Sequence, residues 1–275
     1  KVNDKLNEIS SSIKGYKEGV FNRLKPAHCA FDDLNKNRRI NLVIPNIDKN
    51  RMYGGEKTAL SLFLNLVKTG NLDARILVQN EVDLGVVARQ YPDWDYVPLA
   101  LNSQSGRQIS QFDWRTRSKG KLNVRNHDFF LATFWETAYV VSELLDCQRE
   151  HFGTNSPFFY LIQDFEPSFY PWSSQYLLAE STYHIKNTIA IFNSHYLQDY
   201  FTRLGYQFQG TMFFEPKLDS NLLGELKKHE KNLPERKNRI LIYGRPKAQR
   251  NAYSLIVESL IQLANSNNST LKGWE

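Results

Sequence analysis

Polar and glycine-containing loops follow several short apolar runs of this sequence and precede stretches with helical spacing. The loops with the most chemically useful residues span 46–55, 133–136, 163–171 and 244–251. In parallel sheets, ligands bind outside the carboxyl ends of the strands, where strand-to-helix loops gather. We therefore expect the binding and catalytic residues in these loops.

Two adjacent glycines, Gly54 and Gly55, stand between the apolar run Leu42–Ile44 and an apolar-faced helix pattern. Because they lack side chains, a phosphate or a sugar could approach the backbone N–H groups at the start of that helix. The dinucleotide pattern G-x-G-x-x-G requires a tight turn directly after the strand, whereas a long polar segment intervenes here. The pair indicates a phosphate or sugar site more than an NAD site. The alternative is that it only gives backbone freedom before the helix.

The loop 244–251 is the most basic of these loops. Arg245, Lys247 and Arg250 lie between an apolar run and the next helix pattern. Guanidinium and ammonium groups at such a position could neutralise a diphosphate, and arginine can bind phosphate oxygens in a bidentate manner. We predict diphosphate binding here, the alternative being exposed charges on a connecting loop.

Carboxylates and aromatic side chains are combined in the loop 163–171 and its neighbour. Asp164 and Glu166 could accept hydrogen bonds from sugar hydroxyls, and either could act as a catalytic base. The aromatic faces of Trp135, Phe165 and Tyr170 could pack on the C–H surfaces of a sugar. This combination predicts a saccharide site. In the alternative interpretation, the carboxylates cap a helix and the aromatic residues belong to the core.

Metal-binding patterns are weak in this sequence. The histidines form no H-E-x-x-H pair, and Cys29 and Cys147 fit no metal or disulfide spacing, so we expect reduced, structural thiols. Asp93 and Asp95 match the short D-x-D pattern that binds manganese in one glycosyltransferase superfamily. They precede the apolar stretch 96–101 rather than follow a strand, which favours a solvated turn. We therefore predict no metal and no cofactor.

Apolar runs and helical patterns alternate along most of the chain. Strands are predicted at 40–44, 74–79, 96–101, 128–134, 158–163, 188–192 and 210–214, with helices between them at about 60–67, 82–90, 136–145, 173–183 and 195–204. This alternation predicts an α/β fold with a Rossmann-like, doubly wound parallel sheet.

Three regions depart from this regular alternation. Residues 1–38 suggest a leading helical segment, and the polar stretch 102–126 suggests an insertion or a mobile loop. After a charged linker, a strand at 239–246 and a helix at 252–263 resemble the start of a second unit. One strand and one helix cannot bury their apolar faces, so this second unit looks incomplete. The sequence begins with Lys and finishes on Leu-Lys-Gly-Trp-Glu, so both of its ends look cut.

The composition is that of an ordinary soluble globular protein, with 41% apolar and 23% charged residues among 275. A net charge of +6 favours anionic partners such as nucleotide diphosphates or an anionic membrane surface. The basic residues are scattered, which argues against nucleic acid. No apolar run is long enough to span a membrane and the start is not a signal peptide. We expect a cytoplasmic location, extending to the inner membrane surface.

Taken together, the Gly-Gly loop and four further segments resemble the bacterial rhamnosyltransferases of surface-glycan synthesis. The further segments are Asp128–Trp135 (DFFLATFW), Tyr160–Pro167 (YLIQDFEP), Phe192–His195 (FNSH) and Ile240–Pro246 (ILIYGRP). Those enzymes belong to the two-domain glycosyltransferases with the GT-B fold and are akin to the large retaining family four. The resemblance covers roughly residues 39–275.

This resemblance implies a division into domains. Residues 1–38 would be a leading segment, and 39–235 the N-terminal, acceptor-binding Rossmann-like domain of a GT-B enzyme. Residues 236–275 would be the truncated start of a second, nucleotide-sugar-binding Rossmann-like domain. The sequence stops before the paired-glutamate segment with which related enzymes hold the donor, so those residues cannot be carried over.

The resemblance also implies roles for the candidate residues. Gly54 and Gly55 would lie near the donor, and Arg245, with Lys247 or Arg250, would bind its phosphates without a metal. The aromatic residues named above would then contact the acceptor. The implied partners are a nucleotide-diphosphate sugar and a glycan or lipid-linked glycan, with peripheral membrane association.

We therefore predict a glycosyltransferase that moves a deoxyhexose such as rhamnose onto a growing surface glycan. One alternative is a metal-dependent GT-A enzyme that uses Asp93 and Asp95. Another is a non-catalytic saccharide-binding module.

Overall fold

The computed structural model describes residues 19–99, 101, 105–215, 217–218, 220–229, 237–246, 248–266 and 273–274. Within these residues the strands are β1 His28–Asp32, β2 Arg39–Ile44, β3 Asp73–Val78, β4 Asp95–Tyr96, β5 Arg107–Gln111, β6 Lys121–Arg125, β7 Asp128–Ala132, β8 Phe158–Ile162, β9 Thr188–Phe192 and β10 Gly210–Phe213. The α-helices are α1 Gly19–Asn22, α2 Gly54–Gly70, α3 Leu84–Gln90, α4 Trp114–Lys119, α5 Trp135–Phe152, α6 Ser174–Ser181, α7 His195–Arg203, α8 Ser220–His229 and α9 Tyr253–Asn265.

Eight strands form one parallel sheet in the order β10-β9-β8-β7-β2-β3-β5-β4. The chain starts this sheet at β2 and builds outward through β3 on one side. It then returns to β7, on the other side of β2, and builds outward through β8, β9 and β10. The strand order therefore reverses between β2 and β7. This arrangement confirms the predicted Rossmann-like, doubly wound α/β fold.

The central strand β2 is covered on both faces, as its continuous apolar run predicts. Leu42 and Ile44 are fully buried on the face where Phe63 of α2 packs. Val43 points to the opposite face and belongs to the cluster that includes Val141 of α5. Successive side chains of a strand point to opposite faces, so one apolar run supplies both layers of the core.

The stretch 102–126 is not the loop that the sequence suggests. Within its described residues it forms β5, α4 and β6, and β5 pairs with β3 inside the main sheet. Gln108 and Ser110 of β5 are buried, and their side chains donate to the carbonyl oxygens of Ser105 at 2.8 Å and Val97 at 2.6 Å. Such hydrogen bonds allow polar residues to occupy a buried strand, so the apolar signal of a strand is missing.

The helical prediction for residues 1–38 is wrong at His28–Asp32, which forms β1. This strand pairs in parallel with β6 in a separate two-stranded sheet, His28 opposite Lys121. The pairing supplies the backbone hydrogen bonds that favour a strand over a helix here. Residues 1–18 lie outside the described residues, so the helical prediction for them stays untested.

The predicted strand 239–246 is also absent from the structure. The described residues 237–246 contain no strand, and Leu241 is 98% exposed. A strand without a neighbour has no partner for its N–H and C=O groups, so apolar residues alone do not form one. The helix predicted after this segment is confirmed as α9.

Cys29 and Cys147 are both free thiols. They meet in the fold although they are distant in sequence. Burial and the hydrogen bond with the Cys147 thiol raise the pKa of Cys29. Cys29 is therefore protonated near neutral pH.

Among the helices that the structure describes, none combines the length and the apolar composition needed to cross a bilayer.

Candidate functional site

A cleft of about 520 Å³ opens at the carboxyl ends of the central strands, where the strand order reverses. Its lining includes the first residue after each of four strands: Pro45, Thr133, Gln163 and Asn193 follow β2, β7, β8 and β9. In open α/β sheets this switch point is the usual ligand site. We call this cavity the switch-point cleft.

Hydrogen bonds fix the polar side chains at the strand ends. The Thr133 hydroxyl donates to the Val43 carbonyl at 2.9 Å. Gln163 Nε2 donates to the Gly55 carbonyl at 3.0 Å, and Asn193 Nδ2 to the Gln163 carbonyl at 3.3 Å. Gln163 Oε1 is buried without a hydrogen-bond partner among the described residues. A hydroxyl donor on a ligand would satisfy that oxygen.

Gly54 and Gly55 both line the cleft and form the first turn of α2, rather than preceding the helix as the sequence suggests. Tyr53 is the N-cap, and its N–H donates to the Glu56 carboxylate at 2.8 Å. A Cβ on Gly54 would meet nothing within 4 Å, and a Cβ on Gly55 would lie 3.4 Å from Gln163 Nε2. The start of this helix therefore presents open backbone, which suits an anion or a sugar.

Glu166 lines the cleft and is only 3% exposed. Its Oε2 accepts hydrogen bonds from the Trp135 backbone N–H at 2.6 Å and from the Tyr160 hydroxyl at 3.1 Å. Burial raises the pKa of the Glu166 carboxyl to about 8, although both hydrogen bonds act to lower it. A carboxyl group with a pKa near neutrality can exchange a proton with a bound ligand.

Glu166 also caps a helix, as the alternative interpretation of this loop proposed. The helix is α5, which begins at Trp135, and not the next helix in the sequence. The Trp135 N–H is one of the first-turn donors that lack an acceptor within the helix, and the carboxyl group supplies one. One side chain thus joins the loop after β8 to the helix after β7.

Two of the predicted acceptor-binding aromatic residues lie away from the cleft surface. Trp135 is fully buried, and its indole N–H donates to the Tyr170 hydroxyl at 3.0 Å. Phe165 packs against Tyr183 and Phe201 in an aromatic cluster behind the loop. Trp135 is buried in the core and Phe165 is partly buried against it, and neither ring lines the cleft, so both support the site rather than face a ligand.

Asp164 and Arg250 meet at the cleft, 86 residues apart in sequence. Arg250 Nη1 donates to Asp164 Oδ2 at 2.5 Å, and the guanidinium lies 4.3 Å over the Phe169 ring. The side chains of Asp164 and Arg250 are 41% and 35% exposed, so solvent screens their attraction. The structure thus joins the predicted carboxylate loop to the predicted basic loop.

A second cavity of about 620 Å³ adjoins the first and shares Phe169 and Arg250 with it. Arg245 and Tyr170 line this second cavity. Lys247 lies outside the described residues. The basic loop therefore contributes Arg250 to both cavities and Arg245 to the second cavity.

Asp93 and Asp95 are placed elsewhere. Asp95 begins the edge strand β4, and neither residue lines the switch-point cleft. Within the described part of the chain, no three His, Cys, Asp or Glu side chains are grouped as metal ligands.

The predicted loops 133–136 and 163–171 contain Thr133, Phe134 and Gln163, none of which was named as a site residue, and Asn193 lies outside the four predicted loops. The same signal that selected those loops could have found Asn193, because it immediately follows the buried strand β9, as Thr133 and Gln163 follow β7 and β8. That position, rather than residue type, places a side chain at the switch point.

The fold and this cleft define the class of protein: a doubly wound α/β domain with an open cleft at its switch point. Residues 39–195 match the family described as WsaF, N-terminal domain. The match covers more than half of the chain, and the chain belongs to this family.

A curated relative extends this comparison. The O-antigen biosynthesis protein RfbC of Myxococcus xanthus is 32% identical to this chain over 137 residues. The match covers 50% of this chain and 10% of RfbC. The chain thus matches about a tenth of the length of that relative.

Proposed function

We propose that this protein is a glycosyltransferase of cell-surface glycan synthesis, which moves a sugar from a nucleoside-diphosphate sugar to a glycan acceptor. The observation that carries the proposal is the switch-point cleft. There a buried carboxyl group, an open helix start and an arginine line one cavity. The similarity to a protein named for O-antigen biosynthesis supports the same class of product.

In this proposal the donor's diphosphate binds between the start of α2 and Arg250. The backbone N–H groups of Gly54 and Gly55 and the positive end of the helix dipole favour an anion. Arg250 is held beside the cleft by Asp164, a partly exposed partner that a diphosphate could replace. Arg245, at the adjoining cavity, would extend the positive surface. Stabilising the departing diphosphate in this way requires no metal.

Glu166 is the proposed proton acceptor. The acceptor hydroxyl would transfer its proton to the Glu166 carboxylate as its oxygen bonds to the sugar carbon, while the bond from that carbon to the diphosphate oxygen breaks. A base works best when its pKa lies near the working pH, and the pKa of Glu166 is about 8. The transfer rate should therefore rise with pH up to about 8.

The finer features follow from the sequence resemblance. We propose rhamnose or another deoxyhexose as the sugar and a GT-B architecture. In it, residues 39–235 bind the acceptor and 236–275 begin the nucleotide-sugar domain. We propose a glycan or lipid-linked glycan as acceptor, and a cytoplasmic location at the inner membrane surface. Of the three aromatic residues predicted to contact the acceptor, Tyr170 is the one that lines a cavity, so we propose it as the acceptor contact.

The test is calorimetric titration of the natural full-length protein with nucleoside-diphosphate sugars. Arg250→Ala should weaken binding about tenfold, the loss of one charge-assisted contact. Arg203→Ala on the exposed surface of α7 is the matched control and should bind as the wild type does. Absence of binding, or binding indifferent to Arg250→Ala, would contradict the proposal. Binding without transfer to any acceptor would favour the saccharide-binding module.

A further inference from the structure

A separate cavity, of about 480 Å³, lies near the amino ends of β2 and β3, at the opposite end of the sheet from the two cavities described above. It shares no lining residue with the switch-point cleft. Three arginines line it: Arg39, Arg75 and Arg125. We call it the arginine cleft. Each of these residues is 3% exposed or less, which is unusual for a charged side chain.

Two of the three arginines have close carboxylate partners. Arg39 forms a two-point contact with Asp128, with Nε and Nη2 each 2.7 Å from a carboxylate oxygen. Arg125 Nη1 donates to Asp73 Oδ2 at 2.6 Å. Buried charges persist when they are paired in this way, so these two arginines are accounted for within the fold.

Arg75 has no such partner. Its Nε donates to Asn41 Oδ1 at 2.7 Å and its Nη1 to the Asn123 carbonyl at 2.8 Å, which are both neutral acceptors. Its Nη2 lies 3.6 Å from Asp128 Oδ2 and has no hydrogen-bond partner among the described residues. Burial and the nearby charges of Arg39 and Arg125 lower the pKa of Arg75 well below its usual range. Arg75 is therefore a buried guanidinium whose nearest carboxylate, that of Asp128, is already paired with Arg39.

The remaining charged groups leave the cleft positive. Asp32 Oδ2 lies 3.8 Å from Arg125 Nε, and Lys36 lines the mouth of the cleft. Among the described residues, four cationic side chains thus face three carboxylates. Leu99 and Leu122 supply an apolar wall beside them. One excess positive charge next to an apolar wall suits a ligand with one negative charge and an apolar part.

We propose that the arginine cleft binds a small organic monocarboxylate, held by Arg75 and Lys36, with its apolar part against Leu99 and Leu122. The planar guanidinium matches the geometry of a carboxylate, which can accept two parallel hydrogen bonds from it. The volume is within the range of small-molecule sites. This inference does not rest on the proposed function, because the two clefts are separate.

Butyrate is a suitable probe, with chloride at the same ionic strength as reference and inorganic phosphate as a competing class. Butyrate should raise the midpoint temperature of unfolding. In an NMR saturation-transfer experiment, its methyl protons should receive saturation from the protein. Lys36→Glu should weaken butyrate binding about tenfold, because it reverses the charge at the mouth. Lys227→Glu on the exposed face of α8 is the matched control and should leave binding unchanged.

Arg75→Gln should abolish butyrate binding. If this variant fails to fold because Arg75 is buried, the comparison of Lys36→Glu with Lys227→Glu tests the proposal instead. Equal effects of butyrate and chloride would overturn the proposal, as would equal binding by Lys36→Glu and Lys227→Glu. Stabilisation by phosphate but not by butyrate would overturn the carboxylate assignment. Loss of nucleotide-sugar binding in Arg250→Ala would not affect any of these outcomes.

Discussion

Replacing Glu166 with glutamine should stabilise this protein, and the gain should grow with pH. The pKa of the Glu166 carboxyl is about 8 in the folded protein, against an ordinary value of 4.5. Between these two values the unfolded chain has lost the proton while the folded protein still holds it. Stability is therefore undiminished below pH 4.5 and falls as the pH rises toward about 8.

The magnitude follows from the size of the pKa shift. Each unit of pH between the two pKa values costs about 1.4 kcal/mol, so the wild type loses about 3 kcal/mol by pH 7. Glutamine is neutral at every pH and has nearly the same shape. Its amide oxygen could still accept from the Trp135 N–H and the Tyr160 hydroxyl, the two bonds that Glu166 Oε2 accepts.

Urea-induced unfolding at several values between pH 5 and pH 8 is the assay. The free energy of unfolding of Glu166→Gln minus that of the wild type should increase by about 1.4 kcal/mol per pH unit. Glu225→Gln, the same substitution at an exposed residue paired with Lys228, is the matched control. A flat difference for Glu166→Gln, or one that decreases with pH, would refute the reasoning.

Three further predictions concern buried contacts and the cleft. Asp128→Ala should lower the free energy of unfolding by about 3–5 kcal/mol in urea, because Arg39 loses its buried partner. Asp146→Ala, which breaks an exposed pair, is the control and should lower it by less than about 1 kcal/mol. Equal losses in the two variants would contradict this prediction. Phe63→Ala should lower the free energy of unfolding by about 3–5 kcal/mol, since that ring is fully buried between β2 and α2. Asp164→Asn should leave the affinity for nucleotide sugars unchanged or make it tighter in calorimetry, because it frees Arg250. A tenfold loss of affinity, like that expected for Arg250→Ala, would contradict the proposal that the diphosphate replaces Asp164 as the partner of Arg250.

Much of the fold could be predicted because its signals are local. The strand β2 has a continuous apolar run, and α2 repeats apolar residues at helical spacing, so each element appears in a few neighbouring residues. The parallel sheet then directs the loops after the strands to one edge. Gly54, Asp164 and Glu166 were predicted site residues for that reason, and all three line the switch-point cleft.

Other features depend on contacts between distant parts of the chain, which no local pattern reveals. Strands β5 and β6 look like a polar loop because buried polar side chains such as Ser110 and Arg125 find partners elsewhere in the fold. The pKa of Glu166 depends on burial beside Tyr160 and the start of α5. The strand predicted at 239–246 failed for the opposite reason, since its local signal meets no neighbouring strand in the described residues.

We propose that sugar transfer takes place in the switch-point cleft with Glu166 as the proton acceptor. The most direct measurement is the release of nucleoside diphosphate from nucleotide sugars, in the presence of a glycan acceptor, by the full-length wild type and Glu166→Gln. Our account predicts at least about 100-fold slower release by the variant, the usual minimum for loss of a general base, with donor affinity unchanged. Release at the wild-type rate by Glu166→Gln would contradict it.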